Sequence, residues 1–169
     1  MRQAPERDGS GQGRADVSVP GGGRASVHLQ RGGGPHGRGT VTVEVWAGEI
    51  LDPVTLRSYV LGAVHQALGL VWSEGIAVDA SGEPLDLTIR PFGILAAREM
   101  PQVDVVLHAE DRWPVNGSDA VVAATAAAAW IAEGAPPHWP TRRGGAGSAG
   151  RRGTTVSHPG QQDQPKENT

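Results

Sequence analysis

The stretch from Gly48 to Glu74, GEILDPVTLRSYVLGAVHQALGLVWSE, leaves this chain few choices of fold. Asp52-Pro53 is a helix opening: Asp caps orphan N–H groups, and Pro at the first helical position gives up no hydrogen bond. Leu56, Val60, Val64, Leu68 and Val71 then recur every three or four residues, the apolar stripe of an amphipathic helix running to about Trp72. Gly62 and Gly69 lie inside that helix, where each costs up to ~1 kcal/mol relative to Ala. Such glycines go with close approach, either of a ligand or of another backbone. The sequence leaves both readings open.

Strands flank the helix. Val41-Thr42-Val43-Glu44-Val45 alternates apolar and polar, as a half-buried strand does. Ile76-Ala77-Val78 reads as a short strand, Asp79 to Gly82 as a tight turn, and Glu83-Pro84-Leu85 as the way out of a hairpin. Ile89 to Met100 has no period, and Pro91 argues against a central strand, so a loop with one helical turn is expected. Val103 to Leu107 is a second strong strand, and Asp111 to Asp119 a polar loop. Ala120 to Glu133 is Ala-rich and helix-forming, with Gly134 placed to end it. The order predicts an α+β fold: a small mixed sheet with two main helices.

Composition divides the 169 residues into three. Residues 1–39 hold eleven glycines and six arginines, and residues 144–169 have Val156 as their one large aliphatic side chain. Both read as disordered tails that bury too little to offset chain entropy. Residues 40–143 are the foldable domain. That core carries six Arg against thirteen acids, which argues against a nucleic-acid surface. Gly9, Gly11 and Gly13 do not make a dinucleotide fingerprint, because no strand precedes them. The chain has no cysteine, which excludes disulfides, thiolate metal sites and Cys nucleophiles. The six histidines are scattered and form no metal-ligand set; His65 reads as solvated or structurally bonded. Trp113, Trp130 and Trp139 read as core or hydrophobic-edge residues. With no apolar signal core in MRQAPERDGS and no run of 18 apolar residues, a cytoplasmic protein with no membrane partner is expected.

The order of these segments resembles the last part of the molybdenum-binding large subunit of the xanthine dehydrogenase/aldehyde oxidase family. Members read D-x-G-x-x-x-N-P after a strand, where this chain has Trp46 to Pro53. A helix follows with G-x-x-x-Q-G-x-G-x-A-x-x-E, matched by Gly62 to Gly69 and Val71 to Glu74. Then come a D-x-x-G-x-P-L hairpin, matched by Asp79 to Leu85, and a P-x-[IV]-x-V strand, matched by Pro101 to Val105. The register holds without a gap from Val41 to Leu107. Trp46 stands at a usually acidic position, and Ser58-Tyr59 replace a Gly-Gln pair.

The resemblance implies an oxidoreductase that hydroxylates an aldehyde, purine or heteroaromatic carbon with water. Its cofactor would be molybdopterin, often in the cytosine dinucleotide form. By position Gln66 would contact the pterin, with Gly62 and Gly69 allowing close approach. The family's base is a glutamate in K-G-V-G-E at the start of the last helix, where this chain has Val115 to Asp119. Asp119 therefore stands where Glu is expected; the other reading is that Asp119 or Ser118 caps the helix. The regions that supply most of the pterin pocket in relatives have no counterpart here. The resemblance thus implies a larger partner subunit, without which the chain would not be active, and an apolar face left exposed for it. The alternative is a non-catalytic, degenerate fragment or interaction domain that retains the fold only.

Overall fold

A computed structural model describes residues 11–32, 39–76, 79, 81–84, 89 and 92–141. Four strands and two long helices carry the fold: β1 (Gln12–Ser18), β2 (Arg24–Gln30), β3 (Thr40–Trp46), α1 (Pro53–Trp72), β4 (Gln102–His108) and α2 (Ser118–Ala132). A 3-10 turn, Ala97–Glu99, precedes β4, the one helical turn expected in that loop. This is the α+β architecture that the pattern of segments predicts.

The strands form one mixed sheet in the order β1-β2-β3-β4. The first two pairings are antiparallel, and β3 and β4 run parallel with α1 as the crossover between them. Alternation sets the faces. Ala25, Val27 and Leu29 on β2, Val41, Val43 and Val45 on β3, and Val105 on β4 are buried on one side. Both helices join them in a single core. Helix α1 contributes Val60, Val64, Leu68 and Val71 from its predicted stripe, and α2 contributes Ala120, Val121, Ala124, Ala128 and Ala129. The other face carries Arg14, Ser26, His28, Thr42, Glu44 and Asp104, none of them buried.

The expectation of a disordered tail over residues 1–39 is corrected by β1 and β2, which form a hairpin inside that segment. The foldable unit therefore begins near Gln12, not at Thr40. The physical reason is a close approach: a Cβ at Gly13 would overlap the Ala128 carbonyl, so β1 lies against the α2 backbone where only glycine fits. The glycines that suggest a linker are in part the contact. Residues 1–10 and 144–169 lie outside the described residues, as do Ala77, Val78 and Leu85 of the expected hairpin. Its turn is described. The Asp79 carboxylate accepts from the backbone N–H of Ser81 at 2.8 Å and of Glu83 at 3.0 Å.

Helix ends follow local chemistry. Asp52 is the N-cap of α1, and its Oδ1 accepts from the N–H of Val54 at 2.9 Å and of Thr55 at 3.2 Å. Past the end of α2, the Gly134 N–H bonds the Ile131 carbonyl and the Ala135 N–H bonds the Trp130 carbonyl, each at 2.9 Å. That pairing closes the helix as a Schellman motif. The Trp130 indole N–H donates to the Pro136 carbonyl at 2.8 Å, holding the exit segment down.

Candidate functional site

Parallel pairing of β3 and β4 places the two loops that follow them at the same sheet edge. Both loops lead into helices, so the N-termini of α1 and α2 meet there. The backbone ties the loops together: Glu49 N–H to the Arg112 carbonyl at 2.9 Å, Glu110 N–H to Gly48 at 3.2 Å, and Val115 N–H to Ala47 at 2.9 Å. Glu110 accepts from Arg112 at 2.6 Å and from the Gly48 N–H at 3.2 Å. The Arg112 hydrogen bond, followed by that of Gly48 and the charges of Arg112 and Arg24, holds the Glu110 carboxyl below its ordinary value against the opposing effect of desolvation. Arg112 also reaches back to the Gly22 carbonyl at 2.9 Å, fastening the hairpin turn to this edge.

Between the loops lies a cleft of about 260 Å³. Ile50, Leu51, Leu56 and Tyr59 form one wall, residues 114–118 the other, and Glu49 and Asp52 stand at its rim. Asp119 is exposed in the first turn of α2, directly after this wall. Neither Asp119 nor Ser118 caps the helix, which corrects that reading. The N-cap is Gly117, and Asn116 Oδ1 takes the Ser118 N–H at 2.9 Å. Asn116 Nδ2 also donates to Asp119 Oδ1 at 3.3 Å. The sequence reading gave Asn116 no role of its own; the signal for it is an Asn two residues before Ser118, where the helix opens, two residues earlier than predicted.

Gln66 lies on the exposed side of α1 and does not line the cleft. The spacing 55, 59, 62, 66 repeats four, three, four, so Thr55, Tyr59, Gly62 and Gln66 share one face of the helix. Thr55 and Tyr59 belong to the cleft wall, and Gln66 lies two turns, about 10 Å, beyond Tyr59. Among the described residues, a Cβ at Gly62 would meet no atom within 4 Å. Gly69 continues the stripe, but the Glu74 carboxylate occupies the space where its Cβ would stand. His65 is structurally bonded, as expected: its Nε2 donates to the Leu95 carbonyl at 2.7 Å and ties the 3-10 loop to α1.

Trp46 turns away from the cleft. On the open sheet face it stacks on His108, with the Arg24 guanidinium 4.9 Å above its ring. Trp113 is the reverse of a core residue, at 87% exposed. Among the described residues no group of three His, Cys, Asp or Glu side chains stands together as a metal site, and no helix is long and apolar enough to cross a membrane.

No family model matches the chain. Over 90 residues it is 29% identical to the gamma subunit of the 6-hydroxypseudooxynicotine dehydrogenase complex of Paenarthrobacter nicotinovorans, a match covering 49% of this chain and 11% of that one. Its fold superposes on quinoline 2-oxidoreductase from Pseudomonas putida 86 with a TM-score of 0.51 at 18% identity, covering 65% of this chain and 15% of that one. Reconstituted CO dehydrogenase from Oligotropha carboxidovorans superposes at a TM-score of 0.48 and 15% identity, over 66% of this chain and 15% of that one. The chain thus spans a small part of the length of the proteins it matches. It is related in sequence to one subunit of a dehydrogenase complex and shares the fold of part of an oxidoreductase.

Proposed function

We propose that this chain is a component of a molybdenum-dependent hydroxylase of the xanthine dehydrogenase/aldehyde oxidase type. It contributes one wall of a molybdopterin site that a larger partner chain completes. One observation carries the reading: the exposed stripe Thr55–Tyr59–Gly62–Gln66 runs out of a cleft whose far wall leads directly to Asp119. The open space over Gly62 fits the approach of a flat ring system, and no described residue packs against it to require a glycine there. The Gln66 carboxamide can both donate and accept, as a pterin edge requires. Gly69 joins the site only when the Glu74 side chain swings aside. The bound molybdenum centre would supply redox chemistry that no side chain here can.

Asp119 is the candidate base. Its Oδ1 accepts from Asn116, which orients the carboxylate while leaving it exposed to a partner's substrate. An Asp reaches one methylene less far than a Glu, and a displacement of about 1 Å can cost ~100-fold in rate. The partner must therefore bring the substrate closer to α2 than a glutamate would require.

The test is purification of the tagged chain from its native cell, with mass and metal analysis of what accompanies it. A larger chain and molybdenum are expected. Asp119→Ala should then abolish hydroxylation, and Gln66→Ala should lower the pterin content. A complex without molybdenum would sink the proposal. The second reading, a non-catalytic domain that retains the fold, is favoured by the Glu74 carboxylate over Gly69. Hydroxylation unchanged in Asp119→Ala would favour it further.

A further inference from the structure

The end of the molecule around the cleft is unusually apolar for a surface. Leu51 is 76% exposed, Val54 77%, Tyr59 64% and Trp113 87%. Leu51 and Tyr59 line the cleft, Trp113 directly precedes its far wall, and Val54 lies in the first turn of α1. Exposed apolar side chains gathered at a cleft mark an interaction site, and Tyr and Trp are the residues that dominate binding energy at protein interfaces. The opening is also negatively charged. Glu49 and Asp52 line it, Asp119 follows its far wall, and no Lys or Arg is among the lining residues. Arg112, the cation nearest in the loop, is engaged with Glu110 and Gly22.

We infer that this end docks a segment of a larger partner polypeptide, one that carries an apolar side chain flanked by Lys or Arg. The inference rests on the proposed role as one component of a hydroxylase, and it names the surface and the chemistry of that contact. The occupant follows from three observations. At about 260 Å³ the cleft lies below the ≈ 300–1,000 Å³ range of small-molecule pockets, yet it admits an apolar side chain. The carboxylate rim selects a basic flank and steers its approach. The matched part makes up 11% of the gamma subunit and 15% of quinoline 2-oxidoreductase, so each of those chains carries a long further polypeptide. The cleft continues into the Gly62–Gln66 stripe, so a segment seated in it would bring the rest of the partner over Gln66 and Asp119.

The test uses the full chain and the larger chain that co-purifies with it from native cells. Leu51→Ser and Trp113→Ser should each weaken that complex by about tenfold or more. The isolated variants should keep their thermal midpoint, because both side chains are exposed. Glu49→Lys should slow association and flatten its salt dependence. Unchanged affinity in all three variants, with the complex intact, overturns this inference and leaves the proposed function standing. Failure of any larger chain to co-purify overturns both. A Leu51-dependent dimer of this chain, with no effect on the larger one, also overturns the inference.

Discussion

The Trp46 indole and the His108 imidazole lie face to face, with ring centroids 4.4 Å apart and 5° between their planes. They are directly opposite partners in the parallel pairing of β3 and β4, and Arg24 is the antiparallel partner of Trp46. Three adjacent strands therefore carry one stacked column, and His108 Nε2 makes a further contact with Glu44 Oε2 at 2.9 Å. Aromatic pairs of this kind contribute about 0.5–1.5 kcal/mol beyond their buried area. A double-mutant cycle of Trp46→Leu and His108→Ala, followed by urea unfolding, should return a coupling in that range. Simple additivity would mean that the stack contributes nothing beyond separate burial.

Gly13→Ala should destabilise the fold by about 1–3 kcal/mol, the usual cost of forcing extra atoms into a packed contact. The added methyl would meet the α2 backbone at Ala128, which cannot move as a flexible side chain can. Chemical unfolding measures this directly. If residues 12–18 were a solvated tail, the substitution would be silent.

Gly62→Ala should have the opposite sign in the isolated chain, a gain of about 1 kcal/mol from helix propensity alone. Among the described residues, nothing within 4 Å of the new methyl resists it. The same variant should lower molybdopterin retention in the complex if the open face is used for close approach. Thermal unfolding of the chain and pterin analysis of the complex separate the two effects.

Acid should weaken the fold through three carboxylates. The Asp52 carboxyl is held below its ordinary value of 3.8 by the Thr55 hydroxyl, then by the Thr55 and Val54 backbone N–H groups. Asp79 is lowered in the same way, first by the Ser81 hydroxyl, and Glu110 first by Arg112. A carboxyl lowered on folding adds stability that is present above its unfolded value and lost as pH falls through its folded one. The thermal midpoint should therefore hold from neutrality to about pH 5 and fall steadily below about pH 4. Asp52→Asn, which keeps a capping oxygen without the titration, should make that fall shallower.

Local chemistry made α1 legible in the sequence. Asp52-Pro53 starts the helix and the stripe from Leu56 to Val71 orients it, and packing had only to agree. The valines of β3 and β4 and the alanines of α2 were equally plain. Strands β1 and β2 were hidden by their setting. Ala25-Ser26-Val27-His28-Leu29 alternates as clearly as β3 does, but the glycines around it weigh the segment toward disorder. Pairing with β3 and packing against α2, with Gly13 against a helix backbone more than a hundred residues away, turn that composition into a fold. At the site, the sequence marked Asp119 and Gln66 but could not separate cap from carboxylate. The N-cap is Gly117, and the side chain that takes the first helical N–H is that of Asn116, a choice that depends on how the loop before α2 turns.

The hairpin also decides where this chain can be cut. Strand β3 pairs with β2 on one side and β4 on the other, and its valines are fully buried beneath the helices. A chain beginning at Thr40 would leave β3 with a bare row of backbone donors and acceptors, ready to pair with any extended segment. The hairpin thus moves the sheet edge from the buried valines of β3 out to β1, and trimming the residues before Thr40 would remove two of the four strands together with that cover.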